Sequence, residues 1–567
     1  MGRRIAVRWW RVIFIGRRAK PETELSDDQR QRVAGRQNHA AGRRTAHGAV
    51  DGETPRNRVS LHQREEFAKG TMAMTVDNVS AGLNYIGGEW RANHSAESLD
   101  VMNPATSEKL ATVPLAGAED VAAAVEAASA AYPAWRRTPP QERIQHLFRF
   151  RRLLEERTDE IARMTTRENG KTFAEARAEL QRGIENVEVA CGIPTLMQGY
   201  NLEDVAHGID EIMIRQPLGV TAAITPFNFP SMIPLWFLPY AIACGNTFIL
   251  KPSERVPLTA RLLFELLHEA GLPRGVVNLV VGAKAAVDAL LRHHSVRAIS
   301  FVGSSRVARY IYAEGAAHGK RVQCQGGAKN HVVVMPDADL EMTAKIVSDS
   351  AFGCAGQRCL AVSTAITIGV ASKQFTDALC GMVSKIRVGN GLDPDVNMGP
   401  VISPESKTRI LNMIDRGIRD GATPLLDGRN AKVKKGDHGN FLNPTVLAGI
   451  PGNSDLTDAE IFGPVLSLRH ADDLDAALKL LAQSAYGNSA CIFTSSGVSA
   501  RKFRYEAPAG NIGINIGVAA PMAYFPFSGW KDSFLGVLHG QGHDAIDFYT
   551  DKKVVIERWP KEWSRKF

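Results

Sequence analysis

The spacing of apolar residues after position 83 alternates between strand and helix periods. Residues 85–90 form an alternating run around a Gly-Gly pair, which predicts a short strand and turn. Residues 172–190 predict a helix, and Asn169-Gly170 marks the end of the helix before it. That earlier segment, 141–164, predicts one amphipathic helix, because its apolar residues recur at helical spacing: Ile144, Leu147, Phe148, Leu154, Ile161 and Met164.

From position 220 onward, short β-branched runs alternate with helical stretches. The runs at 220–224, 247–250, 276–281 and 298–302 predict strands, and helical patterns follow at least the last three. A second set begins later, with strands predicted at 331–335 and 361–368 and helices around 340–355 and 372–386. Strand and helix in turn predict parallel βαβ units, so the fold class is α/β with two such domains.

Composition changes this picture mainly at the N-terminus. The chain of 567 residues is too long for a single core, and 44% of it is apolar. Residues 1–71 hold 16 Lys/Arg and 8 Asp/Glu, whereas the remaining chain holds 52 of each and is neutral. The basic charge therefore gives no reason to expect nucleic-acid binding by the body of the protein. Seven cysteines without a CxxC motif indicate a reducing compartment and predict no metal site.

Residues 1–71 are Arg/Gln/Gly-rich without a sustained apolar period, so we expect a disordered leader there. The segment lacks the uninterrupted apolar core of a secretory signal, and its eight acidic residues disfavour a mitochondrial presequence. We expect the working protein to begin near Met72 or Met74, with the leader an upstream extension that activity does not require. No apolar run approaches the ~20 residues of a membrane span.

Ligands of parallel sheets bind beyond the carboxyl ends of the strands, and polar residues follow three of the predicted strands. Asn228 lies in a loop stiffened by two prolines, Lys251 and Glu254 follow the second strand, and Gly303-Ser304 follows the fourth. A glycine and serine at a helix N-terminus suit an anion such as a pyrophosphate. Each feature alone is weak, because loop prolines and Lys/Glu pairs are usually structural, and the GxGxxG fingerprint is missing.

The small-residue segment 351–360 presents Cys359 beside Arg358, and we interpret Cys359 as a nucleophile. A thiol attacks only as thiolate, and a neighbouring cation lowers its pKa toward the working pH. Cys354 competes for the same role. In a soluble protein, a cysteine beside an arginine is most often a core residue without a chemical role.

Taken together, these segments resemble the aldehyde dehydrogenase superfamily over residues 85–559. Within that superfamily the chain is most similar to the CoA-acylating methylmalonate-semialdehyde dehydrogenase branch. The motifs that carry the resemblance are the Asn228 loop, residues 251–254, 301–304, the Cys359 segment and 460–465, and for the branch 182–188, 327–331, 356–359 and 521–530. The superfamily's one-glycine nucleotide loop also explains why GxGxxG is missing.

The resemblance implies a role for each matching residue. The Cys359 thiolate attacks an aldehyde, and the Asn228 amide and the Cys359 backbone N–H hold the oxyanion. A carboxylate at Glu254 favours a free ribose 2′-hydroxyl, which points to NAD over NADP. The implied cofactor-binding residues are Thr225, Phe227, Lys251, Glu254, Arg255, Gly303, Ser304, Glu460 and Phe462.

Gln325 is the most informative departure from the superfamily pattern. Hydrolytic members carry a glutamate four residues before the lysine that matches Lys329, and that glutamate activates water on the thioester. An amide cannot accept the proton, so we expect the acyl-enzyme to survive until coenzyme A, a thiol, attacks it. The alternative is that another base, such as Glu460, replaces the glutamate.

Two arginines bear on the substrate. Arg182 and Arg358 match the branch positions expected to hold a substrate carboxylate, although either could belong to a structural ion pair. A carboxylate β to the enzyme thioester makes loss of CO2 easy. The expected products are propionyl-CoA or acetyl-CoA, CO2 and NADH, from methylmalonate or malonate semialdehyde. Two other functions stay open: a hydrolytic dehydrogenase that yields a free acid, and a catalytically silent binding protein.

The implied architecture is a Rossmann-type nucleotide-binding domain, an α/β catalytic domain and a bridging β element that pairs residues 206–216 with a strand near 545–555. Such edge strands commonly complete a sheet in a neighbouring subunit, so we expect a homodimer or homotetramer. We expect a cytoplasmic protein, or a matrix protein if the source is eukaryotic. The expected boundaries are 80–203 and 218–327 for the first domain, 328–532 for the second, and 204–217 with 540–559 for the bridge.

Overall fold

Two large sheets with parallel centres organise the part of the chain that the computed structural model describes, namely residues 84–92, 95–430, 433 and 438–559. The leader expected at 1–71 and the start expected near Met72 lie outside these residues. The strands, in chain order, are β1 (Asn84–Ile86), β2 (Glu89–Arg91), β3 (Ser98–Met102), β4 (Lys109–Pro114), β5 (Tyr200–Ala206), β6 (Ile209–Pro217), β7 (Val220–Ile224), β8 (Thr247–Lys251), β9 (Val277–Leu279), β10 (Val296–Val302), β11 (Arg321–Gln325), β12 (Asn330–Val334), β13 (Val362–Ile368), β14 (Thr423–Leu426), β15 (Thr445–Ala448), β16 (Val465–Ala471), β17 (Tyr486–Gly487), β18 (Ser489–Phe493), β19 (Asn511–Ile514), β20 (Trp530–Lys531), β21 (Phe534–Leu535) and β22 (Thr550–Arg558).

Helices separate most of the parallel strands, as the alternating pattern predicts. They are α1 (Ala118–Trp135), α2 (Pro140–Glu156), α3 (Thr158–Asn169), α4 (Phe173–Cys191), α5 (Ile193–Leu196), α6 (Met232–Ala243), α7 (Pro257–Glu269), α8 (Lys284–Arg292), α9 (Ser305–Ala317), α10 (Leu340–Phe352), α11 (Ala371–Val383), α12 (Pro404–Arg419), α13 (Leu474–Gln483), α14 (Gly497–Glu506) and α15 (Gly542–Tyr549). Short 3-10 turns lie at Gly353–Gly356 and Asp455–Thr457. Every described helix is too short or too polar to cross a lipid bilayer.

The first sheet has the order β2-β1-β9-β8-β7-β10-β11-β21, and its five central strands from β9 to β11 are parallel. The central strands β7 and β8 are buried along their whole length, as expected for a parallel sheet between helix layers. Along β7, Ala222 packs into the core with α1 and α8, whereas Ala223 packs into the core with α2, α4, α6 and α7. This sandwich supports the strand ends that carry the nucleotide motifs.

The second sheet has the order β14-β15-β16-β13-β12-β18-β19 and is parallel except at β14. Val332 and Val334 on β12 pack with α10, α11 and α12 on one face. Val333 packs with α13 and α14 on the other face. The fold class predicted from the sequence, an α/β fold of the aldehyde dehydrogenase type, is confirmed.

A third, antiparallel sheet joins β22 to β6 and β6 to β5. The β6–β22 register runs from Pro217 opposite Thr550 to Ile209 opposite Arg558. The strand expected near 545–555 begins only at Thr550, because α15 occupies Gly542–Tyr549 and buries Ile546 and Tyr549 against α6. Strand β5 is exposed along its length and forms one edge of this sheet.

The single helix predicted for 141–164 is wrong, because the segment forms α2 and α3 with a break at Arg157. Arg157 has φ −109° and ψ 21°, outside the helical region, so the chain changes direction while the apolar period continues. Phe148, predicted on the apolar face, is 47% exposed, and Phe150 fills the core position. The predicted end at Asn169 is confirmed, since Gly170 caps α3 at a left-handed φ of 95°.

Candidate active site

The carboxyl ends of β7, β8 and β10 meet at one edge of the first sheet. Lys251 at the end of β8 donates from Nζ to Glu254 Oε2 at 3.0 Å. Burial by itself would raise the pKa of Glu254, but Lys251, a backbone N–H and Arg255 together lower that pKa below its usual range. Glu254 is therefore ionised and can accept hydrogen bonds from hydroxyl groups. The Arg255 guanidinium lies 3.7 Å from the Glu405 carboxylate.

A cavity of about 380 Å³ lies between the ends of β7 and β10 and residues of α12 and of the segment before β16, and we call it the cofactor cavity. It contains six of the residues proposed from the sequence: Phe227, Asn228, Gly303, Ser304, Glu460 and Phe462, together with Cys359. The rings of Phe227 and Phe462 meet edge to face with centroids 5.9 Å apart. Among the described residues, Thr225, Lys251, Glu254 and Arg255 are not part of this lining. Lys251 ends β8, Thr225 directly follows β7, and Glu254 and Arg255 lie shortly after β8.

The cofactor cavity has features that fit a dinucleotide. Ser304 is the N-cap of α9, whose side chain makes no cap hydrogen bond, so an anion can approach the free N–H groups of that 13-residue helix. Thr225 Oγ1 is buried without a partner among the described residues. A Cβ atom on Gly327 would lie 2.6 Å from Glu460 Oε2, so any larger residue at this position would displace the Glu460 carboxylate. These residues fit NAD.

A second cavity, about 190 Å³, also reaches Cys359, and we call it the substrate cavity. Aromatic and aliphatic side chains form most of its wall, including Phe229, Met232, Trp236, Leu360, Val518 and Phe527. Arg182 and Arg358 provide its cationic groups. Cys359 lines both cavities, whereas Cys354 lines only the substrate cavity. This position favours Cys359 over Cys354 as the nucleophile.

Both arginines already have protein partners. Arg182 contacts Glu185 Oε2 at 2.7 Å and the Pro521 carbonyl at 2.5 Å. The Arg358 guanidinium lies 3.9 Å from Glu175 and 3.6 Å from the Cys354 sulfur. These partners satisfy part of each guanidinium, and its remaining N–H donors are available to a carboxylate in the cavity.

The loop that carries Cys359 leaves α10 through an unusual turn. Cys354 and Ala355 adopt left-handed φ values of 52° and 53°, which cost energy in residues with a Cβ. Gly356 follows with φ 70°, and a Cβ there would lie 2.1 Å from the Gly463 carbonyl oxygen. Glu175 stabilises the turn, because its Oε1 accepts the Cys354 N–H at 2.6 Å. Sequence spacing predicted α10 to run to residue 355, but it ends at Phe352 where this turn begins.

The Cys359 thiol is protonated at neutral pH in this structure. Burial and the Glu460 carboxylate raise the pKa of Cys359 to about 12, although Arg358 and two backbone N–H groups lower it. The expected effect of Arg358 on the pKa is therefore present but outweighed by burial. A proton acceptor or a bound cationic group must favour the thiolate before attack.

The Asn228 side chain lies beside the Cys359 loop. Its Nδ2 donates to the Gln357 carbonyl at 3.1 Å, and the second hydrogen of this NH2 group is available for an oxyanion. The backbone of Asn228 is held by Lys171, whose Nζ donates to the Asn228 carbonyl at 2.6 Å and to Glu179 at 2.5 Å. Glu179 also accepts the Ser231 N–H. This buried ion pair fixes both ends of the loop that carries the oxyanion donor.

Gln325 does not line the cofactor cavity. Its Nε2 donates to the Phe527 carbonyl at 2.8 Å, and its buried Oε1 has no partner among the described residues. Glu460 is the carboxyl group that does share the cofactor cavity with Cys359, and burial raises its pKa to about 7. Burial also lowers the pKa of the adjacent Lys329 to about 8.

Sequence reasoning missed several polar residues of the site. Glu175 was identifiable as the fourth residue of a Thr-x-x-Glu capping box at α4, but its second contact with the Cys354 turn is tertiary. Arg409 on α12 lines the cofactor cavity and donates to the Ile461 carbonyl, and nothing in its local sequence indicates this. Of the branch residues without a proposed role, His331 is buried and neutral, since burial lowers its pKa to about 3, and Trp530 is 53% exposed.

The chain was compared with known proteins. It is 50% identical to malonate-semialdehyde dehydrogenase 1 of Geobacillus kaustophilus over 488 residues, 86% of this chain and 100% of that protein. The crystal structure of methylmalonate-semialdehyde dehydrogenase from Oceanimonas doudoroffii superposes with a TM-score of 0.84 at 44% identity, covering 85% of this chain and 99% of that one. Betaine aldehyde dehydrogenase from Staphylococcus aureus, solved with NAD+, has a TM-score of 0.81 at 28% identity, covering 85% and 97%.

The model of the aldehyde dehydrogenase family matches residues 90–555, which include both cavities and all of both sheets except β1 and the first residue of β2. The nucleotide cleft, the cysteine between two cavities and the amide beside it are the parts that such an enzyme needs. The chain belongs to the aldehyde dehydrogenase family.

Proposed function

We propose that this enzyme oxidises malonate semialdehyde or methylmalonate semialdehyde with NAD and transfers the resulting acyl group to coenzyme A. One observation carries the proposal: Cys359 lies between a nucleotide-sized cavity and a small apolar cavity that contains two arginines. An apolar pocket with a guanidinium suits a short aldehyde that ends in a carboxylate. The names of the malonate- and methylmalonate-semialdehyde dehydrogenases similar to this chain support this substrate class.

The reaction begins when the Cys359 thiol gives up its proton to water and the thiolate attacks the aldehyde carbon. The developing oxyanion accepts hydrogen bonds from Asn228 Nδ2 and the Cys359 N–H, and losing one such donor typically costs about 3 kcal/mol in barrier. Ser304, Glu254 and Glu460 would hold NAD, which accepts a hydride when bound. The product on the enzyme is a Cys359 thioester.

Decarboxylation and acyl transfer follow from that thioester. The bond to the β-carboxylate breaks, CO2 leaves, and the electron pair enters the thioester enolate, which a proton then quenches. The coenzyme A thiolate attacks the carbonyl carbon, and the Cys359 thiolate leaves. Gln325 cannot accept a proton from water and is held by the Phe527 carbonyl, so water attack is slow.

The test is a turnover assay on methylmalonate semialdehyde, with acyl products identified by mass spectrometry. We expect propionyl-CoA and NADH, and a large loss of kcat/KM in Arg358→Gln and Arg182→Gln. Arg182→Gln should lose little on propionaldehyde, which lacks the carboxylate. Arg358→Gln should lose less on propionaldehyde than on the semialdehyde, although some loss remains because Arg358 also lowers the pKa of the Cys359 thiol. Equal losses on both aldehydes would assign the arginines to structural ion pairs.

A hydrolytic reaction is the second candidate, and the position of Glu460 favours it. Its carboxyl shares the cofactor cavity with Cys359, and a pKa of about 7 is suited to a general base. In that case free acid forms at the same rate with and without coenzyme A.

We also propose the division into domains at 80–203 with 218–327, 328–532, and 204–217 with 540–559. In this division, the three-stranded sheet of β5, β6 and β22 is the bridging element, and a homodimer or homotetramer forms through it. Exposed apolar side chains on β5 and β22, among them Leu202 and Ile556, support this assembly. Seven free cysteines support a cytoplasmic location.

A further inference from the structure

The backbone carbonyl of Cys359 accepts hydrogen bonds from two buried asparagines. Asn330 Nδ2 and Asn488 Nδ2 each donate to this oxygen at 2.8 Å. Asn330 is 3% exposed and Asn488 is 5% exposed. Both hydrogen bonds are therefore shielded from water, and together they hold the Cys359 carbonyl in a fixed direction.

The two asparagines are themselves fixed by the second sheet. Asn330 starts β12, and its side chain also donates to the Ala361 carbonyl at 2.9 Å and accepts the Ser489 N–H at 3.1 Å. Asn488 directly precedes β18, the parallel neighbour of β12. Each amide therefore has a defined orientation, with its NH2 group toward the Cys359 loop.

Fixing this carbonyl also fixes the N–H of Leu360. A trans peptide unit is planar, and its C=O and N–H point in opposite directions. Because the Cys359 oxygen faces the two asparagines, the Leu360 N–H faces the opposite way, away from them. The N–H groups of Cys359 and Leu360 both act as hydrogen-bond donors that lower the pKa of the Cys359 thiol.

The thiol needs such donors because the charges around it oppose each other. Among the described residues, Glu460 and Arg358 are the charged groups that act on the sulfur, and they act in opposite directions. Part of the Arg358 guanidinium contacts Glu175 and Cys354 instead. Oriented backbone donors in a buried site stabilise an anion without adding a mobile charge.

We propose that Asn330 and Asn488 are positioning residues that orient the Leu360 N–H toward the Cys359 sulfur, where it stabilises the thiolate. The inference rests on the proposed role of Cys359 as nucleophile. It assigns to the two asparagines a function in the reactivity of the cysteine, separate from substrate or cofactor binding. Neither residue lines the substrate cavity or the cofactor cavity.

The test measures how fast iodoacetamide alkylates Cys359 between pH 6 and 10, in the full-length enzyme without substrate. Asn488→Asp keeps the size of the side chain but replaces the donor with an oxygen, and Asn488→Ser removes most of it. We expect roughly tenfold slower alkylation across this pH range in both variants, because a rise of about one unit in the pKa of the thiol lowers the thiolate fraction about tenfold below that pKa. The KM for the semialdehyde should stay unchanged, because both arginines are intact.

Asn246→Ser is the matched control. Asn246 is also buried, and its Nδ2 donates to the Ala241 and Tyr549 carbonyls at 3.1 and 2.9 Å, away from both cavities. The Asn246→Ser variant should have a lower melting temperature but an unchanged alkylation profile. It therefore separates general destabilisation from an effect on the thiol. Profiles of folded Asn488→Ser and Asn488→Asp that coincide with the unsubstituted enzyme would overturn the inference.

The same assay separates this inference from the proposed function. Alkylation of Cys359 in the unsubstituted enzyme should abolish NADH formation. If turnover survives complete alkylation, Cys359 is not the nucleophile, and both the inference and the proposed role of Cys359 fail. If alkylation abolishes turnover but the asparagine variants titrate normally, only the positioning role is wrong.

Discussion

Cys354 and Cys359 lie five residues apart, and their different surroundings give them different chemistry. Cys354 is 5% exposed, and its sulfur contacts Arg358 at 3.6 Å. Cys359 is partly exposed and borders both cavities. The nucleophile must border both the substrate cavity and the cavity that would hold the cofactor, and of these two cysteines only Cys359 does.

We therefore predict that Cys359→Ser lowers kcat by at least about 10³-fold. A serine hydroxyl ionises far less readily than a thiol, and it attacks a carbonyl only with the help of a general base. Cys354→Ser should keep most of the turnover, with any change appearing in KM through Arg358. Steady-state NADH assays on the two variants, with thermal unfolding as the folding control, make the comparison. A larger loss in Cys354→Ser would reverse the assignment.

Glu460 supplies a pH dependence. Because burial raises its pKa to about 7, the carboxyl is neutral below pH 7 and an anionic acceptor above it. A carboxylate accepts hydroxyl hydrogen bonds more strongly, so we predict that NAD affinity rises roughly fivefold between pH 6 and 8. Ionisation of this buried carboxyl opposes folding. The neutral carboxyl therefore favours the folded state at low pH, and this stabilisation is lost as pH rises from about 5 to about 7.

Fluorescence titrations of NAD from pH 5.5 to 8.5 measure this effect, and Glu460→Gln is the comparison. In that variant the NAD affinity should no longer change with pH. Its affinity should be lower than that of the unsubstituted enzyme only above pH 7. An unchanged pH slope in Glu460→Gln would assign the titration to another group.

At the scale of elements, the N-terminus of α4 connects helix capping to the active site. Glu175 Oε2 accepts the N–H and hydroxyl of Thr172 in a capping box, and its Oε1 accepts the Cys354 N–H. One carboxylate thus stabilises a helix start and the left-handed turn before the nucleophile. A cap is typically worth about 1 kcal/mol, and a buried N–H without an acceptor costs about 1–3 kcal/mol.

We predict that Glu175→Ala lowers the free energy of unfolding by about 2–4 kcal/mol, the sum of these two effects, and also raises KM for the semialdehyde. The control is Asp473→Ala at the N-cap of α13, where the Asp473 side chain accepts the Ala476 N–H and no second hydrogen bond from the part of the chain that the structure describes. That variant should lose about 1 kcal/mol with no change in KM. Denaturant unfolding and steady-state kinetics on both variants decide the matter, and equal kinetic effects would show that Glu175 acts only as a cap.

The bounds of some elements could be predicted from the sequence, whereas those of others could not. The β-branched runs at β7, β8, β10, β12 and β13 were predictable to within two residues, because strands buried on both faces are continuously apolar. The end of α10 was not, since the left-handed turn at Cys354 depends on a carboxylate from α4. The same limit applies to Asn330 and Asn488, whose common target is created only when β12 and β18 become neighbours.

At the scale of the whole molecule, the third sheet leaves apolar surface that the described chain does not cover. Tyr200 and Leu202 on β5 are 71% and 64% exposed, and Ile556 on β22 is 66% exposed. An exposed edge strand with apolar side chains favours pairing with another copy. This surface is the basis of the proposed assembly.

We predict that Leu202→Asp, combined with Ile556→Asp, shifts the protein to smaller species in size-exclusion chromatography with light scattering. A buried charge in an interface is strongly unfavourable, whereas the same charge on a free surface is nearly neutral. The control is Val498→Asp on α14, a position that is 81% exposed. A monomeric unsubstituted protein would contradict the proposed assembly.

The central claim is that the acyl group stays on Cys359 until coenzyme A removes it. The most direct measurement is rapid mixing of enzyme, NAD and methylmalonate semialdehyde without coenzyme A, with NADH counted per active site and the Cys359 peptide analysed by mass spectrometry. We predict a burst of one NADH per site, a propionyl adduct on Cys359 and slow turnover afterwards, and Gln325→Glu should shorten the life of the adduct. Continued turnover without coenzyme A, with free acid as product and no adduct, would contradict the account.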